Sequence, residues 1–102
     1  MREVVWSLAA LDDLDTVVAY IALDSPSAAG KLVDAIGRAA TSLGEIPTGR
    51  RGRVAGTYEK SVTRLPYIIA YALKALPSGD ERVVILRVIH SARDWPKGKW
   101  PK

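Results

Sequence analysis

Residues 53–96 read RVAGTYEKSVTRLPYIIAYALKALPSGDERVVILRVIHSARDWP, and this stretch decides the fold. Its β-branched and aromatic residues concentrate in Tyr67–Leu73 and Arg82–His90, the composition that suits a pleated, half-buried surface. Leu76-Pro77-Ser78-Gly79-Asp80 lies between them and carries turn chemistry, since Pro fixes φ and Gly admits the dihedrals of a reversal. Val54–Arg64 reads as a third strand, with Leu65-Pro66 as the reversal or bulge before Tyr67. Strict alternation puts Tyr58, Lys60, Val62 and Arg64 on one face of that strand. In the last strand, Val84, Leu86, Val88 and His90 share one face, and Val83, Ile85, Arg87 and Ile89 the other. Arg87 therefore sits among apolar residues in a strand expected to be central, and a buried arginine requires a partner. Glu59 is the candidate, so a structural ion pair Glu59–Arg87 is expected.

Working toward the N-terminus, Glu45–Arg53 (EIPTGRRGR) reads as a flexible basic connector without a phosphate-loop motif. Before it lie two helices. Ser7 can cap the first, which carries Leu11, Leu14, Val18 and Ile21 as an apolar stripe. Asp12, Asp13 and Asp15 spread around that helix rather than converge, so they serve solvation and the helix dipole, not a metal. Ser25-Pro26 starts the second helix, with Pro at the first helical position. Ala29, Leu32, Val33, Ile36, Ala40 and Leu43 form its buried face, and Gly44 is placed to end it. Gly30 and Gly37 fall on one face and are expected to let the two helices approach closely. Glu3–Trp6 is a short opening strand.

The 102 residues, 48% hydrophobic and 25% charged, fit one ordinary domain, 1–102, ending in a basic Trp/Pro tail at 95–102. With no cysteine, disulfides and thiolate chemistry are excluded. No apolar run approaches the ~18 residues of a membrane span, so a cytoplasmic protein without a membrane partner is expected. The net charge of +4 is segregated: residues 1–49 carry −4 and residues 50–102 carry +8. A segregated basic surface is the footprint of a polyanion or an acidic protein partner.

With those residues in view, the chain resembles the RelE/ParE superfamily of bacterial type II toxins over nearly its full length. The matching text is DLDTVVAYIALDSPSAAGKLV (13–33), GRRGRVAGTYE (49–59), LPYIIAY (65–71) and ILRVIHSARDWP (85–96), in that order. The resemblance implies an α+β fold of order β-α-α-β-β-β: an N-terminal strand, an antiparallel two-helix hairpin, then a three-stranded antiparallel sheet. It also implies a toxin neutralised by a cognate antitoxin, whose toxin-binding segment the +8 half suggests is acidic. Two targets divide the superfamily. The reading adopted is a ParE-like DNA gyrase poison; the alternative is a RelE-like ribosome-dependent mRNA endonuclease. If the chain is a nuclease, the resemblance and the need for acid, base and phosphorane-stabilising groups nominate Arg64, Arg87, His90 and Arg93. Arg50, Arg51, Arg53, Lys60, Arg64 and Arg93 are the candidates to bind a target or nucleic acid. A third reading is a simple nucleic-acid-binding domain, on the aromatic and basic tail Trp95–Lys102. No metal or cofactor is implied.

Overall fold

The computed structural model describes residues 1–92 and 98–100. Strand β1 (Glu3–Trp6) leads into helix α1 (Leu8–Ala22) and helix α2 (Pro26–Glu45). Strands β2 (Arg50–Arg51), β3 (Tyr58–Ser61), β4 (Tyr67–Ala75) and β5 (Glu81–His90) follow. They form one sheet of order β1-β5-β4-β3-β2, antiparallel except for β1, which lies parallel to β5. The α+β fold class is the expected one, and β1 and the two-residue β2 extend the antiparallel core at its two edges. Among the described residues no helix is long and apolar enough to cross a membrane.

Both helix starts are set locally. The Ser7 hydroxyl accepts the Ala10 N–H at 3.1 Å and donates to the Leu86 carbonyl at 3.0 Å, capping α1 and tying it to β5. Ser25 accepts the Ala28 N–H at 3.1 Å, with Pro26 in the first helical position. The core lies between the hairpin and the sheet, where Leu32, Ile36, Ala40 and Leu43 of α2 meet Tyr67, Ile69, Tyr71, Val83, Ile85 and Val88. Each fully buried Ile or Leu side chain there contributes about 1.5–3 kcal/mol relative to exposure. Val17, rather than Leu11, packs in the stripe of α1, and Leu11 and Val33 are exposed.

None of the three helical glycines plays the role expected of it. A Cβ at Gly30 or Gly37 would meet nothing within 4 Å, so neither admits a close helix approach. Gly44 does not end α2, which runs on to Glu45; it is buried, and a Cβ there would lie 2.6 Å from the Arg2 carbonyl oxygen. Its own carbonyl accepts the Arg2 N–H at 2.8 Å. Gly44 thus lets the end of α2 press against the start of β1.

The segment expected as one strand, Val54–Arg64, is mostly turn. The Val54 carbonyl accepts the Thr57 N–H at 3.2 Å and the Thr57 hydroxyl at 2.7 Å, closing a reversal through Gly56 at φ +80°. Only Tyr58–Ser61 pairs, before a second turn in which Leu65 N–H donates to the Val62 carbonyl at 3.1 Å. Arg64 in that turn sits at φ 65°, a left-handed conformation costing a non-glycine residue about 1–2 kcal/mol.

Strict alternation fails in β5 for one reason. Tyr71 pairs with Ile85 and Ala70 with Arg87, so Leu86 is an extra, bulged residue. Ile85 and Val88 consequently both reach the core although they are three residues apart. The bulge takes Arg87 out of the alternation, and its consequence is the site below.

Candidate functional site

Strand β1 pairs with β5 only as far as Trp6–Ile85. Beyond that point the outer edge of β5 has no strand beside it, and its backbone donors need acceptors from elsewhere. Helix α1 passes this edge and supplies Asp13. The Asp13 carboxylate accepts the Val88 N–H at 2.9 Å and grips the Arg87 guanidinium at 2.7 Å (Nε) and 3.1 Å (Nη2). Both side chains are largely buried, 18% exposed for Arg87 and 15% for Asp13. The expected Glu59–Arg87 pair is therefore absent. Their strands are separated by β4, with Ala70 opposite both residues, which sets the two backbones about 9–10 Å apart at normal strand spacing.

Glu59 is buried all the same, at 2% exposure, and holds the other edge of the sheet. It accepts the Arg53 backbone N–H at 2.8 Å and the Arg50 guanidinium at 3.3 Å. Arg50 and Arg51 pair with Glu59 and Tyr58, so part of the expected flexible connector is an edge strand. Both arginines are exposed, and charge on a short edge discourages further strand addition. Lys60 reaches the Thr48 hydroxyl at 2.8 Å. Nearby, Tyr58 stacks on Tyr71 with centroids 5.5 Å apart, and the Tyr71 hydroxyl donates to the Thr48 carbonyl. Burial, reinforced by Tyr58, pushes the Tyr71 phenol above its ordinary pKa.

At the far end of the sheet, His90 pairs with Tyr67 in register, and the Ser91 N–H donates to the Pro66 carbonyl at 2.8 Å. This docks the Arg64 turn beside the end of β5. His90 is exposed; its Nδ1 accepts the Ala92 N–H at 3.1 Å, and its ring meets Tyr67 edge-on at 5.3 Å. Burial raises the Tyr67 phenol pKa. Asp13, Tyr20, Tyr67, Arg87 and His90 line one pocket of about 480 Å³ between α1 and the sheet.

The nuclease candidates thus come together only in part. Arg87 and His90 share the pocket and Arg64 lies on the neighbouring turn, whereas Arg93, residue 94 and, of the tail, residues 95–97 and 101–102 fall outside the described residues. The binding candidates divide between the β2–β3 edge (Arg50, Arg51, Arg53, Lys60) and the Arg64 turn. Asp13, expected as a solvated acid, is a partner of Arg87. Its signal was available: Ala10, Asp13, Leu14 and Val17 follow the i, i+3, i+4, i+7 spacing of a buried helix face. Among the described residues, no group of three or more His, Asp or Glu side chains is placed to hold a metal ion.

Residues 4–95 match the family described as ParE toxin of type II toxin-antitoxin system, parDE. The chain belongs to the ParE toxin family. Its relatives include "Putative toxin Y4kP" of Sinorhizobium fredii, 39% identical over 97 residues that span 94% of this chain and 95% of the relative. "Toxin RelE2" of Caulobacter vibrioides is 39% identical over 94 residues, 91% of this chain and 99% of that one. Among solved structures, a chain of the chromosomal ParDE TA system from P. aeruginosa superposes with a TM-score of 0.76. That chain is 26% identical, and the match covers 88% of this chain and 96% of the other. This ParE-family protein is the toxin component of a type II toxin–antitoxin module, and an antitoxin is its partner.

Proposed function

We propose that this toxin is a DNA gyrase poison acting in the cytoplasm through residues 1–102 as one toxin domain. The observation that carries the reading is the Asp13–Arg87 pair. Arg87 is the best-placed candidate to stabilise a phosphorane, and its guanidinium is held by a carboxylate at 2.7 and 3.1 Å. A phosphorane bound there would face that negative charge as well as the guanidinium, which weakens the stabilisation a nuclease requires. His90 likewise has Nδ1 engaged by the Ala92 backbone N–H. A toxin that works by binding needs no such set. The basic surface is the part that an acidic antitoxin segment would cover, with nanomolar or tighter affinity weakened but not abolished by salt.

The test is a pair of cell-free assays on toxin freed of its antitoxin. With gyrase and supercoiled plasmid, trapped cleaved DNA is expected; in a translating extract, mRNA ends mapped by primer extension should be unchanged. Codon-positioned cuts that disappear in His90→Ala or Arg64→Ala would overturn the reading in favour of the ribosome-dependent endonuclease. That alternative is favoured by one observation, the shared pocket of Tyr67, Arg87 and His90.

A further inference from the structure

Arg38 belongs to the half of the chain that carries −4, and the fold moves it to the basic side. It lines a groove of about 360 Å³ between α2 and β3, together with Lys60, Ser61 and Thr63, over a floor of Ala39 and Val62. We propose that this groove is a phosphodiester-binding site for a nucleic-acid backbone, with Arg38 and Lys60 as its cations and Ser61 and Thr63 as its hydroxyl donors.

Four observations carry it. First, no carboxylate lines the groove; Asp34 and Glu45 lie with Arg38 along the neighbouring outer face of α2. Second, the donors are unspent. Lys60 gives one N–H to Thr48 and keeps two, while among the described residues Arg38, Ser61 and Thr63 show no side-chain hydrogen bond or ion pair. Third, the residue after Thr63 is Arg64, a third cation, kept in a left-handed turn where Gly would be relaxed. Fourth, the exposed large apolar side chains, Leu8, Leu11, Tyr20, Leu23, Val33 and Ile46 among them, all lie outside this groove. A protein partner would seek an aromatic or aliphatic anchor pocket, whereas phosphate contacts use cations and hydroxyls of this kind. The pairing of charge, free donors and a small apolar floor favours a nucleic-acid backbone over an acidic peptide.

The inference stands apart from the gyrase reading. It is tested by fluorescence anisotropy of antitoxin-free toxin with labelled 16-mers of duplex DNA, single-stranded DNA and single-stranded RNA over a salt series. Each neutralised phosphate contributes a slope in log K against log salt of about −0.9 on duplex and about −0.7 on single strands. Arg38→Ala with Lys60→Ala should make the slope shallower by about two contacts and weaken binding roughly tenfold or more. The arm that binds tightest names the source of the phosphodiester. Wild-type slope and affinity in the double variant would overturn the proposal. So would an oligo-glutamate peptide that depends on Arg38 and Lys60 while the nucleic acids do not bind, which would make the groove an acidic-peptide site. Both side chains are on the surface, and urea midpoints check that the variant folds; Arg38→Gln and Lys60→Gln singly, each removing about one contact, give the same reading if it does not. The assay contains neither gyrase nor ribosome, so failure here leaves the gyrase reading intact, and the converse holds.

Discussion

Removing the Asp13 carboxylate should be the most damaging single surface-proximal change in this toxin. Asp13→Ala deletes three hydrogen bonds at once, to Arg87 Nε, Arg87 Nη2 and the Val88 N–H. Two costs follow. The Val88 N–H loses its acceptor on an edge with no neighbouring strand, about 1–2 kcal/mol for an unsatisfied, mostly buried donor. The Arg87 guanidinium, only 18% exposed, loses the carboxylate that accepts from its Nε and Nη2. Breaking a fully buried pair costs about 3–5 kcal/mol, and the residual exposure here lets water recover part of it, leaving about 1–2 kcal/mol. The sum is about 3 kcal/mol, a fall in Tm of roughly 12–24 °C for a domain of this size. The assay is urea and thermal unfolding of refolded toxin, run as a double-mutant cycle with Arg87→Met. The double variant should be more stable than Asp13→Ala alone, because it no longer buries a guanidinium that has lost the Asp13 carboxylate, and should remain below wild type because the Val88 N–H is still orphaned. Asp13→Ala within 0.5 kcal/mol of wild type, or simple additivity in the cycle, would refute the reasoning.

Three further outcomes can be measured on the same material. Gly44→Ala should destabilise by about 1–3 kcal/mol, since its Cβ meets the Arg2 backbone, whereas Gly30→Ala and Gly37→Ala, in open space, should each gain about 0.5–1 kcal/mol; thermal melts of the three rank them. Arg64→Gly relieves the left-handed backbone and should raise stability by about 1 kcal/mol; a lower Tm would show that the Arg64 side chain makes a contact worth more than the strain. Burial raises the Tyr67 and Tyr71 phenols above the ordinary value of 10.0, so the unfolded chain gives up these protons first. Stability should therefore be complete below pH 10 and fall as pH rises through the raised values, with Tyr67 and Tyr71 ionising above pH 10 in an ultraviolet titration of the folded toxin.

Much of this toxin was legible before its fold was known. The serine caps, the Pro26 helix start, the Leu76–Asp80 turn and the two long strands β4 and β5 depend on residues within about four positions of each other, so the local text suffices. The family was legible for the same reason, through four short segments in order. The strand expected at Val54–Arg64 failed because Gly56 and the left-handed Arg64 place a turn at each end of Tyr58–Ser61. Of the candidate residues, the sequence singles out Arg87, His90, Lys60, Arg50, Arg51 and Arg53, while the partners that the fold gives them are not legible in it. Asp13 lies on a buried helix face, and Arg38 lies in the half of the chain that carries −4.

What the sequence determined by itself was the inventory of elements, the segregated charge and the presence of a buried arginine that must be paired. Tertiary structure alone decided with what. The partner of Arg87 depends on where β1 stops along β5, on the extra residue at Leu86, and on which turn of α1 crosses the edge left open. The last of these is a contact between positions 75 residues apart in the chain, Asp13 and Val88, and no local pattern of dihedrals or hydrophobicity encodes it. The placement of Arg38 beside Lys60 has the same origin, for α2 packs on the sheet through the core that Ile36, Ala40 and Leu43 build with Ile69 and Tyr71.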